Sequence, residues 1–180
     1  MMKESKTKGS LRSLLSGDGE PVRQVVSGAA IAAIYVVLTM IFAPISFGPI
    51  QLRISEALCI LPYFTPAAVP GVFVGCLLSN LLCGASPLDI VFGSLATLIG
   101  AIGSRLIGRK SKWLVCVPPI LSNTLIIPWV LRYAYGSADL IPFMMATVGI
   151  GEFLAVGVLG NMFLVTLERY RGIMFNRSAR

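Results

Sequence analysis

A handful of ionisable residues interrupt an otherwise apolar chain: Arg53 and Glu56 in "GPIQLRISEAL", Asp89 in "SPLDIV" and Glu152 in "GIGEFL". Gln51, Asn80 and Asn123 place amides in similar surroundings. A charged side chain at the centre of a membrane helix costs about 2.5–3.5 kcal/mol on insertion scales, so such groups usually face a cavity and serve a function. Carboxylates accept pairs of N–H groups, and guanidinium and amide groups donate to carbonyls. The set therefore offers the makings of a pocket for a small hydrogen-bonding molecule. It does not offer catalysis. No nucleophile stands with a base, and the chain has no histidine. Cys59, Cys76, Cys83 and Cys116 lie in apolar stretches without CxxC spacing, and read as small hydrophobic fillers rather than metal ligands. Neither a metal nor a cofactor is expected.

Plainer readings stand beside each of these. Arg53 and Glu56 are three apart and can pair with each other. Asp89 follows "SP" and fits a first-turn acid favoured by the helix dipole. Asn123 can serve as interhelical glue, worth ~0.6 kcal/mol on average. Glu152 has no basic residue within a turn, so its carboxyl group is either protonated or waits for a partner, such as a ligand.

The elements that must position these groups follow from composition. Of 180 residues, 56% are hydrophobic and 13% charged, against about 25% charged in soluble domains. Apolar runs of about twenty residues recur, each long enough to cross ~30 Å of hydrocarbon. The expected fold is an all-α polytopic membrane protein with six transmembrane helices. One membrane domain, 22–171, lies between a polar tail, 1–21, and a basic tail, 172–180. Helices are expected over 22–43, 52–64, 66–83, 88–107 and 113–135. For the last, two arrangements are open: 140–148 forms a cap or short helix across the outer mouth and the spanning helix begins near Gly149, or 140–148 is part of that helix.

The net charge of +7 comes mainly from the two tails and from "RLIGRKSK" (Arg105, Arg109, Lys110, Lys112). That is the positive-inside pattern. It marks a cytoplasmic face rather than a nucleic-acid groove, and puts both termini on the cytoplasmic side of a cell membrane. On this orientation Arg53, Glu56, Asn80, Asp89 and Glu152 fall in the outer third, with Asn123 deeper. Gly28, Ala29, Ala32 and Ala33 in "SGAAIAAIY", and Gly71 and Gly75 in "PGVFVG", have small-xxx-small spacing. The latter pair suits packing within the chain. Ala29 and Ala33 suit docking of another subunit. "GAIGSRLIGRK" lacks the lysine and Ser/Thr of a phosphate loop, so the chain is not expected to hydrolyse ATP; if it transports uphill, the energy must come from a partner or an ion gradient.

The strings "APISFGPIQLRISEAL", "PAAVPGVFVGCLLSNLL" and "SPLDIVFGSLATLIGA" resemble the QueT family of queuosine-precursor transporters, substrate-binding S-components of energy-coupling factor (ECF) transporters. The resemblance is strongest over 43–101; "GE" at Gly151–Glu152 and "LSN" at Leu121–Asn123 agree more loosely, and Pro128 departs from the pattern. It implies a six-helix bundle docked on a transmembrane coupling subunit with two ATPase subunits, and toppling of the bundle during transport. It also implies a deazaguanine base as the small-molecule ligand. Glu152 or Glu56 would accept two N–H groups of a guanine-like edge, and Asn123 or Arg53 would donate to its carbonyl. Asp89 would suit a positively charged side group. Phe47, Tyr133 and Phe143 are candidates to stack on the ring, or members of an aromatic belt. A stand-alone proton-coupled carrier for a small heterocycle or vitamin, with Glu152 as its proton site, is the competing reading.

Overall fold

The computed structural model describes residues 19–46 and 52–170. Six helical stretches carry the architecture: α1 Gly19–Ile41, α2 Ile54–Tyr63, α3 Ala68–Leu82, α4 Pro87–Gly108, α5 Val117–Ala134 and α6 Ile141–Arg169. One-turn pieces, Ala43–Ser46 and Lys112–Leu114, follow α1 and precede α5. Among the described residues, four helices are long and apolar enough to cross a membrane: those of α1, α4, α5 with its preceding turn, and α6. The other two, α2 and α3, have 10 and 15 residues. The chain is an all-helical polytopic membrane protein.

The short α2 survives because it touches protein instead of lipid. It packs against α1, α3, α4 and α6, and Leu58, Cys59, Ile60 and Leu61 are all buried. Irregular backbone at membrane depth is tolerated where protein covers it. It is a 3-10 helix along its whole length, whereas such runs rarely exceed 3–4 residues. At ~2.0 Å per residue it reaches about 20 Å, further than ten α-helical residues would. Because side chains at i and i+3 eclipse in this geometry, Glu56 and Cys59 stack on one face, just after Arg53 at the helix entry.

Around α2 the neighbours run α1–α3–α4–α5–α6. Helices α1 and α3 approach closely through the small residues. A Cβ on Gly71 would lie 2.8 Å from the Gly28 carbonyl, and one on Gly75 would lie 2.7 Å from Tyr35 Cβ. Gly28 and Ala32 are buried in this contact while Ala29 and Ala33 stay exposed.

One end of the bundle is basic. There Arg105 donates to the Pro62 carbonyl at 3.0 Å, and Lys112 pairs with Glu168 at 2.7 Å. The opposite end is drawn together by Tyr135, which accepts from the Ser86 N–H at 3.1 Å.

Of the two arrangements open for 140–148, the cap does not form. Helix α6 runs unbroken from Ile141, and the Pro142 ring sits in its first turn, where no N–H is needed. The stretch too long for a simple span is accommodated differently: Phe153–Gly160 is a π-helix between two α-helical segments. Such widened turns are rare and, where present, frequently lie at functional sites. Glu152 is the residue just before it.

Candidate functional site

Arg53, Glu56, Asn80, Asp89, Asn123 and Glu152 are each 5% exposed or less. They occupy α2 and its entry, α3, α4, α5 and α6. Gln51 and Phe47 lie outside the described residues.

Glu56 is wholly buried and fully engaged. Its Oε1 accepts from Tyr35 Oη of α1 and from Thr97 Oγ1 of α4 at 3.0 Å, and its Oε2 accepts from Cys59 Sγ at 2.9 Å. Thr97 stands near the middle of α4, so Glu56 sits at mid-depth, below the outer third expected for it. Three helices meet on one carboxyl group.

Arg53 reaches across to α4, with Nη2 3.5 Å from Asp89 Oδ2. Tyr135 Oη donates to the same oxygen at 3.0 Å. Asn80 Nδ2 donates to the Asp89 carbonyl at 3.3 Å and lies 3.7 Å from Cys76 Sγ. Asp89 is in the first turn of its helix, as the dipole reading has it, and is also tied to two neighbouring elements.

Asn123 and Glu152 form the remaining part. With α6 starting at Ile141, Glu152 lies about 17 Å along the helix at 1.5 Å per residue, deeper than a start near Gly149 implied. Asn123 is at a comparable distance from Tyr135, so the two side chains meet, the amide close enough to act on the carboxyl group. Glu56 and Arg53 are within electrostatic range of the same carboxyl. The described polar candidates are therefore brought together in one buried cluster.

Several of its polar atoms have no hydrogen-bond partner: Asn80 Oδ1, Asp89 Oδ1, Asn123 Nδ2 and Glu152 Oε2. A buried polar group left unpaired costs about 1–3 kcal/mol, and native structures hold few. Four in one cluster are an expensive arrangement for mere packing. Their balance of donors and acceptors is what a hydrogen-bonding guest would complete.

Sequence reasoning missed Tyr35, Thr97, Cys59 and Tyr135. Only Cys59 had a local signal, three residues after Glu56. Tyr35 and Tyr135 look like core and belt aromatics until the helices are assembled. Tyr133 and Phe143 are 72% and 58% exposed, and Tyr133 stacks on Trp129, so both belong to the outer surface rather than to a ring-stacking wall. Pro128 is buried within an uninterrupted α5.

Three grooves open elsewhere on the bundle. One of about 520 Å³ lies between α1, α2 and α6 toward the basic end, lined by Arg23, Leu58, Thr65 and Leu167 among others. Another of about 530 Å³ separates α1 from α3 beside Ala29, and a third of about 340 Å³ lies against Trp129 and Tyr133. None is lined by the polar cluster.

No solved structure matches this chain. A curated relative, "Queuosine precursor transporter QueT" of Lactococcus lactis subsp. cremoris (strain MG1363), is 40% identical over 77 residues. That match covers 42% of this chain and 45% of the relative, so the similarity spans under half of the relative's length. The QueT transporter family matches residues 25–169, from the first membrane helix to the end of α6. With a buried polar cluster inside an apolar helical bundle and a family match over most of its length, the chain belongs to the QueT transporter family.

Proposed function

We propose that the chain is the substrate-binding membrane subunit of an ECF-type transporter, and that it binds a queuosine precursor, a deazaguanine base, at the buried polar cluster. The observation that carries this reading is the buried Glu152 carboxyl group, whose Oε2 has no hydrogen-bond partner although the Asn123 amide of the facing helix lies nearby. A guanine-like edge presents the complement: adjacent N–H donors for the carboxylate and a carbonyl for the amide. The relative's name supports the substrate class. Glu56, already bonded three ways, anchors α1, α2 and α4 beneath the ligand, which leaves Glu152 as the carboxylate that contacts it.

The basic end faces the cytoplasm by the positive-inside rule, with both termini there, and the Tyr135 end faces outward. Entry of a base requires the helices to part at the Tyr135 end, since the cluster is closed off from solvent. Exposed Ala29 and Ala33 on α1 offer a smooth strip for the coupling subunit. Two ATPase subunits on that partner would supply the energy.

The test is a titration of the purified chain in detergent with deazaguanine bases, repeated on Glu152→Gln. An amide at 152 presents an N–H to the ligand's own donors. Loss of a charge-assisted hydrogen bond, about 1.5–3 kcal/mol, should weaken binding by roughly 10- to 150-fold. Unchanged affinity in Glu152→Gln would remove the carboxylate from the site. Proton-driven uptake by this chain alone, with no ATPase subunits co-purifying, would favour the stand-alone carrier.

A further inference from the structure

Helices α4 and α5 are joined differently at their two ends. Toward the basic end their backbones nearly touch: a Cβ on Gly103 would lie 2.5 Å from Pro118 Cβ, and one on Gly100 would lie 2.7 Å from Pro119 Cα. There Ser104 Oγ also donates to the Val115 carbonyl at 2.7 Å. Toward the other end the helices part, and the groove of about 340 Å³ opens between Leu88 and Phe92 of α4 and Trp129 and Tyr133 of α5.

A single side chain ties that second end. Tyr135, the C-cap of α5, sets its hydroxyl on the start of α4. It donates to Asp89 Oδ2 at 3.0 Å and accepts from the Ser86 N–H at 3.1 Å. Among the described residues, no other hydrogen bond joins α5 to α4 at this end. Tyr135 is 48% exposed whereas Asp89, which its hydroxyl meets, is 2% exposed. The ring thus stands at the boundary between the surroundings and the polar cluster. The turn after it is open: Gly136 has a φ of +64°, and a Cβ there would meet nothing within 4 Å. Swinging the phenol outward breaks two hydrogen bonds and leaves the glycine–proline contacts at the basic end intact.

We infer that Tyr135 is a latch over the polar cluster: its hydroxyl holds the ends of α4 and α5 together, and its release opens the way to Asp89 and the residues beneath. The inference rests on the proposed function for what passes through; the closure itself does not depend on it.

The chain carries its own reporter. Cys76 is wholly buried in the cluster, with Sγ 3.7 Å from Asn80 Nδ2 and 3.4 Å from Thr97 Oγ1. Cys116 is also buried, but at the other end of the bundle, where α5 begins.

The full-length chain in detergent would be treated with a small water-soluble thiol reagent, and each cysteine followed by peptide mass spectrometry. Tyr135→Phe keeps the ring and removes the hydroxyl. It should speed modification of Cys76 at least about threefold, the ratio one average hydrogen bond in a membrane bundle supports, and leave Cys116 unchanged. An unchanged rate at Cys76 overturns the latch. Equal acceleration at both thiols overturns it too, because the whole bundle would then have loosened. Ser86→Pro, at a φ of −56° that proline adopts, deletes only the N–H and should act in the same direction more weakly. Should Tyr135→Phe not fold, Ser86→Pro decides.

Stopped-flow binding of a deazaguanine base gives the second readout. In Tyr135→Phe association and dissociation should both quicken by the same factor, with affinity unchanged. Weaker affinity at an unchanged association rate would make Tyr135 a ligand contact and overturn the latch, leaving the proposed function standing. Wild type that binds no such base, with Cys76 still more reactive in Tyr135→Phe, would overturn the proposed function and leave the latch standing.

Discussion

Gly93→Ala is a one-carbon test of how the Asp89 side chain is held. The added methyl would fall 2.7 Å from Asp89 Oδ1, the far end of a side chain that can swing away. Swinging it moves Oδ2 off Tyr135 Oη, now 3.0 Å distant, and lengthens the 3.5 Å approach to Arg53. Two terms then compete. Alanine inside a helix is favoured over glycine by about 1 kcal/mol. A hydrogen bond to a charged group contributes about 1.5–3 kcal/mol, whereas hydrogen bonds within membrane bundles average only ~0.6. If the Tyr135–Asp89 bond is of the charged kind, Gly93→Ala should be destabilising by about 0.5–2 kcal/mol. At roughly 2–4 °C per kcal/mol, that is a lowering of melting temperature by about 1–8 °C in detergent. On a Tyr135→Phe background the bond is already gone, so the same substitution should be neutral or stabilising, and the cycle isolates the coupling. A neutral or stabilising Gly93→Ala in the wild-type background would refute the reasoning, because propensity alone would then have won.

The Glu56 hub makes a second prediction: Tyr35→Phe and Thr97→Val should each destabilise by about 0.5–2 kcal/mol. Because both donate to the same oxygen, thermal unfolding of the double variant should show non-additivity. For docking, Ala33→Leu should abolish uptake by the assembled transporter yet leave ligand affinity of the isolated chain unchanged, since Ala33 is exposed on α1. A fall in affinity instead would mean that α1 uses that face inside its own bundle.

Much of the fold was legible in the residues. Helices α1 to α5 begin and end within a few residues of the expected limits because apolar run length and flanking Pro, Gly and charge are local quantities. The end of the chain stayed open between two arrangements for the same reason. Pro142, Gly149 and Gly151 are local breakers, yet proline in a first turn and glycines on a packed face do not stop a helix. The 3-10 geometry of α2 was not legible either. Nothing in "ISEALCILPY" forbids an ordinary α-helix, and the tighter form holds within contacts to four neighbours.

The sequence alone determined that this is an apolar helical bundle with a few costly polar groups, because hydrocarbon solvation acts on each segment independently of its neighbours. Only the tertiary structure decided which of those groups are already satisfied. Glu56 and Glu152 look equivalent in the chain, both carboxyl groups stranded among apolar residues. Packing brings Tyr35, Thr97 and Cys59 to Glu56, while Glu152 Oε2 is left without a partner. Partner choice depends on which faces of distant helices meet, and hydrogen bonds are short-ranged, so one carboxyl became an anchor and the other kept an oxygen without a partner.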